Sequence, residues 1–181
     1  MPENTLQRNK AVSNIAKGAV LVALTVVSAQ IAIPLPPVPW TLQVFTVLLS
    51  GAIGGSAVGA ISQLIYILLG LIGLPVFSGF SGGLSIIISP TFGYLIGFPI
   101  AAGMSGLFNT KKGLLRRSPL IFLASLIPIY VIGAAYFYCF APIMIGKVLT
   151  VKGVIAVGIV PFIIPDIVKA ILAWVIARRL N

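Results

Sequence analysis

The feature that most constrains this chain is a stretch of 93 residues, from Gly18 to Thr110, that contains no Asp, Glu, Lys, Arg or His. A helix that crosses a bilayer needs about 20 apolar residues, so this stretch has room for several spans. Of all 181 residues only 8% are charged and 59% are hydrophobic, whereas about 25% of the residues of a soluble domain are charged. The composition excludes a water-soluble globule and a lone signal peptide, and it predicts an all-α membrane protein.

Apolar segments alternate with proline-rich, glycine-rich and basic segments, and their lengths predict six transmembrane helices. We expect a cytoplasmic tail or a short surface helix over residues 1–14 and a single six-helix transmembrane domain over residues 15–181. The predicted spans cover about residues 15–33, 41 to a glycine-rich turn within 51–59, 57–71, 91–108, 119–140 and 151–177. The second and third spans must turn back with almost no loop, which glycines allow. Residues 34–39, with four prolines, and 73–90, with four serines, are predicted as ordered outer loops, the second placed to cap a cavity.

The basic residues are distributed as membrane topology requires. A net charge of +10 would suggest nucleic-acid binding on a soluble fold, but nine of the twelve Lys and Arg residues fall in three short regions. These nine are Arg8, Lys10, Lys17, Lys111, Lys112, Arg116, Arg117, Arg178 and Arg179. Lys147 and Lys152 fall in predicted outer loops, and Lys169 lies within a span. The positive-inside rule then predicts a multi-pass protein of the cytoplasmic membrane with both termini in the cytoplasm. Its surroundings should be the lipid bilayer, and we expect no nucleic-acid partner.

Asp166 is an acidic residue within a predicted span, and Lys169 follows it three residues later on the same helical face. Asp166 lies twelve residues before Arg178, about 18 Å along a helix, and therefore well inside the membrane. An ionised residue there costs about 2.5–3.5 kcal/mol, so both side chains should face the bundle interior or a cavity. Together they suit a ligand that presents N–H and C=O groups. The alternative is a buried ion pair that binds nothing.

Other polar side chains in the predicted spans are Gln30, Gln43, Gln63, Tyr66, Tyr94 and Tyr136. For most of them we expect interhelical hydrogen bonds, but Gln43 lies at the outer end of its span, where a cavity would open. Gly82 and Gly83 are candidates for bringing backbone amides close to a solute, or are simple turn residues. Ala19 and Ala23 place small side chains four residues apart, which permits close helix packing within the chain or against another membrane subunit.

The chain lacks the residues that a disulfide, a metal site or a common enzyme motif would require. The chain has no His, one Cys (Cys139) and two acids (Glu3 and Asp166), so it offers no internal disulfide and no usual transition-metal site. It also has no GxxxxGK[ST] phosphate loop and no HExxH motif, so we expect no enzyme, no metal, no cofactor and no ATPase activity of its own. A stand-alone transporter in which Asp166 carries a proton, and a structural subunit without a ligand, remain open.

Four segments carry a more specific pattern: IPLPPVPWTLQVF at 33–45, YILLGLIGLPVFSGFSGG at 66–83, SPTFGYLIGFPIAA at 89–102 and DIVKAILA at 166–173. In this order and spacing they resemble the BioY family, the biotin-specific substrate-binding (S) components of energy-coupling-factor (ECF) transporters. The resemblance covers most of residues 16–175. It implies a six-helix bundle that binds biotin from outside and delivers it after docking on a transmembrane coupling subunit and a pair of ATPase subunits.

The resemblance also implies roles for individual residues. The family's alanine-x-x-x-alanine docking motif corresponds to Ala19 and Ala23. Biotin carries a ureido group with two N–H donors and one carbonyl, which Asp166 and Lys169 would match. The predicted binding residues are Trp40, Thr41, Gln43, Phe77, Gly82, Gly83, Tyr94, Asp166 and Lys169, with the aromatic ones against the apolar part of biotin. The predicted function is thus capture of biotin as a transported substrate, and the alternative is a proton-coupled secondary transporter of a small polar solute.

Overall fold

The computed structural model describes residues 2–109, 118–146 and 148–180, and it is almost entirely helical. Its α-helices are α1 (Pro2–Gln30), α2 (Gln43–Leu71), α3 (Phe92–Ser105), α4 (Pro119–Ala124), α5 (Leu126–Ile145), α6 (Val151–Gly158) and α7 (Val160–Leu180). Three 3-10 helices cover Ser78–Phe80, Leu84–Ile88 and Gly106–Asn109. Two short strands, β1 (Ala32–Ile33) and β2 (Trp40–Thr41), pair antiparallel and close the proline-rich loop between them.

Length and composition mark this as a multi-pass membrane protein. Among the described residues, four helical stretches are long and apolar enough to cross a bilayer: Gln7–Gln30, Gln43–Leu71, Pro119–Ile143 and Val160–Leu180, with Phe92–Phe108 as a shorter apolar helix. Large apolar side chains such as Val20, Val27 and Val131 are more than half exposed on the outside of the bundle. Such a surface is suited to lipid, because acyl chains cover it without the cost of exposing it to water.

Helix α2 is a hairpin whose two arms meet at Gly55, which has φ 79° and ψ 169°. The Nε2 atom of Gln43 lies 2.7 Å from the hydroxyl of Tyr66, although 23 residues of straight helix would separate them by about 34 Å. A Cβ atom added to Gly59 would lie 2.6 Å from the Cα of Gly51, so the two backbones touch. We name residues 43–54 arm 2a and residues 56–71 arm 2b. The tight glycine turn predicted from the sequence is therefore present.

Helices α3 and α5 pack closely against each other along one side of the bundle. A Cβ atom added to Gly97 would lie 2.7 Å from the Cα of Ile129, and one added to Gly93 would lie 3.1 Å from the Cα of Gly133. Small residues at these positions let the two backbones approach, as is common between membrane helices. The contact sets the register that brings α5 side chains, among them Tyr130, to the same side as α7.

The predicted last span, about residues 151–177, is helical but is broken into α6 and α7 at Ile159, which the sequence analysis did not predict. Pro161 has no amide hydrogen for the helical pattern, and the N–H of Phe162 bonds the carbonyl of Ile159 at 2.9 Å instead of that of Gly158. The hydroxyl of Tyr94 donates to the Gly158 carbonyl at 2.8 Å. An α3 side chain thus satisfies the carbonyl that the break leaves free.

Two predicted segments near the membrane surfaces have different outcomes. Residues 2–14, predicted as a cytoplasmic tail or a short surface helix, are the first part of α1, which continues without interruption into the first apolar segment. The basic loop predicted at 109–118 falls almost wholly outside the described residues, and so does Lys147.

Candidate ligand-binding site

A cavity of about 250 Å³ lies beneath the proline-rich loop and the loop of residues 72–91, which we name the Phe77 loop. Arm 2a, α3, α5 and α7 form its remaining walls. Its polar lining residues are Thr41, Gln43, Ser78, Ser81, Ser89, Thr91, Tyr94, Tyr130, Asp166 and Lys169, and its main apolar ones are Val38, Val44, Phe77, Ile86, Leu95, Phe98, Ile129 and Phe162. The cavity thus combines an apolar wall with a small number of polar groups, as ligand sites do.

The charged residues of the cavity lining are Asp166 and Lys169, which lie one turn apart on α7. The Nζ atom of Lys169 lies 2.7 Å from Oδ1 of Asp166, and the Tyr130 hydroxyl donates to Oδ2 at 2.7 Å. Asp166 is only 3% exposed. A carboxylate accepts about four hydrogen bonds and an ammonium donates three, so this cluster of three side chains retains capacity for a ligand's N–H and C=O groups.

Thr41 and Gln43 belong to a hydrogen-bonded chain that joins the two loops over the cavity. The Thr41 hydroxyl donates to Oε1 of Gln43 at 2.9 Å, and Nε2 of Gln43 donates to the Tyr66 hydroxyl at 2.7 Å. That hydroxyl donates in turn to the Val76 carbonyl at 3.1 Å. Because an amide nitrogen carries two hydrogens, Gln43 still has one for a ligand.

Phe77 forms a fixed part of the cavity wall and is 2% exposed. Its ring meets that of Tyr66 edge to face, with centroids 5.4 Å apart and planes at 88°. The other support is Gly70 of arm 2b: a Cβ atom there would lie 2.0 Å from the ring, so only a glycine leaves room for Phe77. The predicted role of Phe77 as an apolar contact is consistent with this placement in the lining.

Three predicted site residues lie beside the cavity and not in its lining. The ring of Trp40 packs edge to face on Phe162, with centroids 6.3 Å apart, and its buried Nε1 has no hydrogen-bond partner among the described residues. Gly82 packs against the Leu74 carbonyl, from which an added Cβ atom would be 2.2 Å away. Gly83 has φ 92°, and its N–H donates to the Gly70 carbonyl at 2.7 Å. Both glycines shape the Phe77 loop.

Tyr130 was not among the predicted site residues, although a tyrosine within an otherwise apolar predicted span is a visible signal. Four lining residues with hydroxyl groups, from the loop and the start of α3, were not predicted either: Ser78, Ser81, Ser89 and Thr91. The bond from Tyr130 to Asp166 joins residues 36 positions apart in the sequence. Only the packing of α5 on its neighbours brings the two together.

Ala19 and Ala23, the predicted partner interface, are both exposed on α1. They line an apolar groove together with Val58, Ile61 and Ile65 of arm 2b. The groove lies on the outside of the bundle, and its lining is almost wholly apolar.

Comparisons with known proteins agree on one family. The BioY family model matches residues 3–181. The probable biotin transporter BioY of Pyrococcus horikoshii is 45% identical over 163 residues, which are 90% of this chain and 93% of that protein. The biotin transporter BioY of Thermotoga maritima is 41% identical over 166 residues, with 91% and 94% covered. The crystal structure of an S component for biotin from an ECF-type ABC transporter matches with a TM-score of 0.72 and 29% identity, over 95% of this chain and 92% of that one. This chain therefore belongs to the BioY family, whose members are transporter components and not enzymes.

Proposed function

We propose that this protein is the substrate-capture S component of an ECF-type transporter and that it binds biotin in the cavity at Asp166. The observation that carries the proposal is the cluster of Asp166, Lys169 and Tyr130 on one side of an otherwise apolar cavity. The names of the relatives and of the matching crystal structure support the choice of biotin.

The chemistry of the cavity suits the ureido group of biotin and the apolar rings and chain that adjoin it. The free acceptor positions of Asp166 are suited to the ureido N–H groups, and the unused donor hydrogens of Lys169 to the ureido carbonyl. The fused rings and the aliphatic chain are apolar, and Phe77, Phe98 and Phe162 supply apolar surface for them. Burial inside the bundle strengthens the polar contacts, because little water competes for them.

The proposal includes six membrane crossings with both termini in the cytoplasm. Four of them are α1, the two arms of α2, and α3 with its 3-10 extension; α4 with α5, and α6 with α7, form the other two. The basic residues at the two ends of the chain and within 109–118 then share the cytoplasmic side, as the positive-inside rule requires.

The proposed partners are a transmembrane coupling subunit and a pair of ATPase subunits, since the chain has no phosphate-binding loop. The groove beside Ala19 and Ala23 is the proposed contact for the coupling subunit, because its apolar lining suits a membrane helix. Uptake assays in vesicles distinguish this proposal from the proton-coupled alternative. Uptake that requires ATP and the partner subunits supports it, whereas uptake by the lone protein that a protonophore abolishes contradicts it.

Calorimetric titration of the purified protein with biotin tests the binding step. We expect saturable binding of one biotin per chain, and at least 100-fold weaker binding of diaminobiotin, which lacks the ureido carbonyl. A site built for hydrogen bonds rejects an analogue that leaves its buried groups unpaired. Native mass spectrometry of the same sample should show a bound mass equal to biotin. Absence of both the heat and the added mass would contradict the proposal.

A further inference from the structure

The side chain of Gln30, the last residue of α1, forms hydrogen bonds with the backbone of the Phe77 loop. Its Nε2 atom donates to the Phe77 carbonyl at 3.0 Å and to the Val76 carbonyl at 3.4 Å. Its Oε1 atom accepts the N–H of Phe80 at 3.0 Å. One side-chain amide therefore bonds both backbone carbonyl and backbone N–H groups that lie 46 to 50 positions away in the sequence. These are the groups that a neighbouring strand would bond in a sheet.

The segment that Gln30 binds is a tight turn in an unfavourable conformation. The N–H of Phe77 donates to the Ser81 carbonyl at 3.0 Å and closes the turn. Within it Gly79 has φ 70° and Phe80 has φ 54°, a left-handed value that is costly for a residue with a side chain. This conformation presents the N–H of Phe80 to Gln30. The bond from Gln30 therefore offsets part of the strain and selects this shape of the turn.

The hydrogen bonds between arm 2b and the Phe77 loop hold the base of the loop, and at the tip arm 2b contributes only the packing of Tyr66 and Gly70 on the Phe77 ring. The Tyr66 hydroxyl bonds the carbonyl of Val76, and Gly70 bonds the N–H of Gly83, both from arm 2b. Between these points, in the part of the chain that the structure describes, residues 77–80 bond within their own turn and to Gln30. Phe77 and Ser78 of this tip line the ligand cavity.

We propose that Gln30 is a positioning residue that holds the tip of the Phe77 loop over the cavity and so retains the bound ligand. It does so without contacting the ligand, since Gln30 is not among the lining residues. The identity of the ligand as biotin rests on the function proposed above. We call the hydrogen bonds of Gln30 to the Phe77 loop the clamp. The clamp links the loop over the cavity to α1, the helix that also carries Ala19 and Ala23 of the groove.

The first test compares biotin dissociation from the wild-type protein and from Gln30→Met, which keeps the size of the side chain and removes its hydrogen bonds. We expect dissociation to be about 10-fold faster, which corresponds to the loss of one or two such bonds. The matched control is Gln63→Met, which removes a buried amide that bonds Thr25 and Ser50 away from the cavity. An equal dissociation rate in the wild type and in Gln30→Met, or equal acceleration in both variants, would overturn the proposal.

The second test needs no ligand and stands apart from the proposed function. In a Cys139→Ser background, Ser78→Cys places one thiol in the half-buried tip of the loop, which Gln30 connects to α1 by hydrogen bonds. We expect a water-soluble maleimide to label this thiol about 10-fold faster when Gln30→Met is added, and at an intermediate rate with Gln30→Glu, which keeps an acceptor for Phe80. Unchanged labelling would overturn the clamp. Faster labelling in a protein that never binds biotin would uphold the clamp and refute the biotin proposal.

Discussion

At the scale of single residues, Asp166 illustrates how an apolar bundle keeps a charge. Lys169 neutralises one carboxylate oxygen from the same helix, and Tyr130 donates to the other from α5. A buried ion pair seldom stabilises a fold more than apolar residues of the same volume would. The free donor and acceptor positions of the cluster therefore have their best explanation in a ligand.

Asp166→Asn tests the central contact. We expect the substitution to weaken biotin binding by about 1.5–3 kcal/mol, because it removes charge-assisted hydrogen bonds and leaves Lys169 without its partner. Titration calorimetry measures the change. Lys152→Gln, which removes a charge from an exposed position on α6, should leave the affinity as it is. A folded Asp166→Asn protein with wild-type affinity would place the ligand elsewhere.

Tyr130→Phe should have a smaller effect in the same direction. It removes the donor to Oδ2 of Asp166 and keeps the ring, so we expect a loss of about 1–2 kcal/mol in the free energy of biotin binding. Tyr138→Phe on the same helix is the control, because Tyr138 is 47% exposed and does not line the cavity. Equal affinities of the two variants would mean that Tyr130 does not orient the carboxylate.

Local spacing predicted part of this site and tertiary packing determined the rest. The pairing of Asp166 with Lys169 follows from a separation of three residues on a helix, which the sequence shows directly. The contact with Tyr130 depends on the register between α5 and its neighbours, and no local pattern reports that register. Trp40, Gly82 and Gly83 are close in sequence to lining residues, but Trp40 packs on Phe162, and the two glycines shape the Phe77 loop beside the cavity.

At the scale of elements, the hairpin of α2 brings most of the polar interior together. Ser50 of arm 2a meets Gln63 of arm 2b at 3.1 Å, and Gln43 meets Tyr66 nearer the cavity. Glycines at the turn were sufficient to predict this reversal. The break at Ile159 was not predicted, although Pro161 is a local signal for it; only the hydrogen bond from Tyr94 that stabilises the break comes from a distant part of the chain.

Gly59→Ala tests the hairpin. Its Cβ atom would lie 2.6 Å from the Cα of Gly51, so the arms must separate, and we expect a loss of about 1–3 kcal/mol in the free energy of unfolding. The control is Gly103→Ala in α3, where the nearest atom to the added Cβ lies 3.8 Å away. That substitution should stabilise the protein slightly, since alanine favours helix. Thermal unfolding in detergent measures both, and equal melting temperatures would contradict the close contact of the arms.

At the scale of the whole molecule, the ligand cavity and the apolar groove are separate surfaces of one bundle. The groove is lined by α1 and arm 2b, and the cavity by arm 2a, α3, α5, α7 and two loops. The separation means that substitutions in the groove can change assembly without changing ligand binding.

Ala19→Trp and Ala23→Trp should therefore retain biotin affinity and abolish both co-purification with the coupling subunit and uptake into vesicles. A large side chain fills the groove and keeps a partner helix at a distance. Val20→Trp is the control, because Val20 is 59% exposed on another face of α1. Full uptake by the Ala19 and Ala23 variants would remove the groove from the partner interface.

The hairpin also bears on how the protein enters the membrane during synthesis. Arm 2a, with 12 residues, is about 18 Å long and arm 2b, with 16, about 24 Å, whereas the hydrocarbon layer is about 30 Å thick. Because each arm is shorter than the hydrocarbon layer, we expect the two arms to enter the membrane together as a pair. The glycines that allow the tight turn would then serve insertion as well as the final shape.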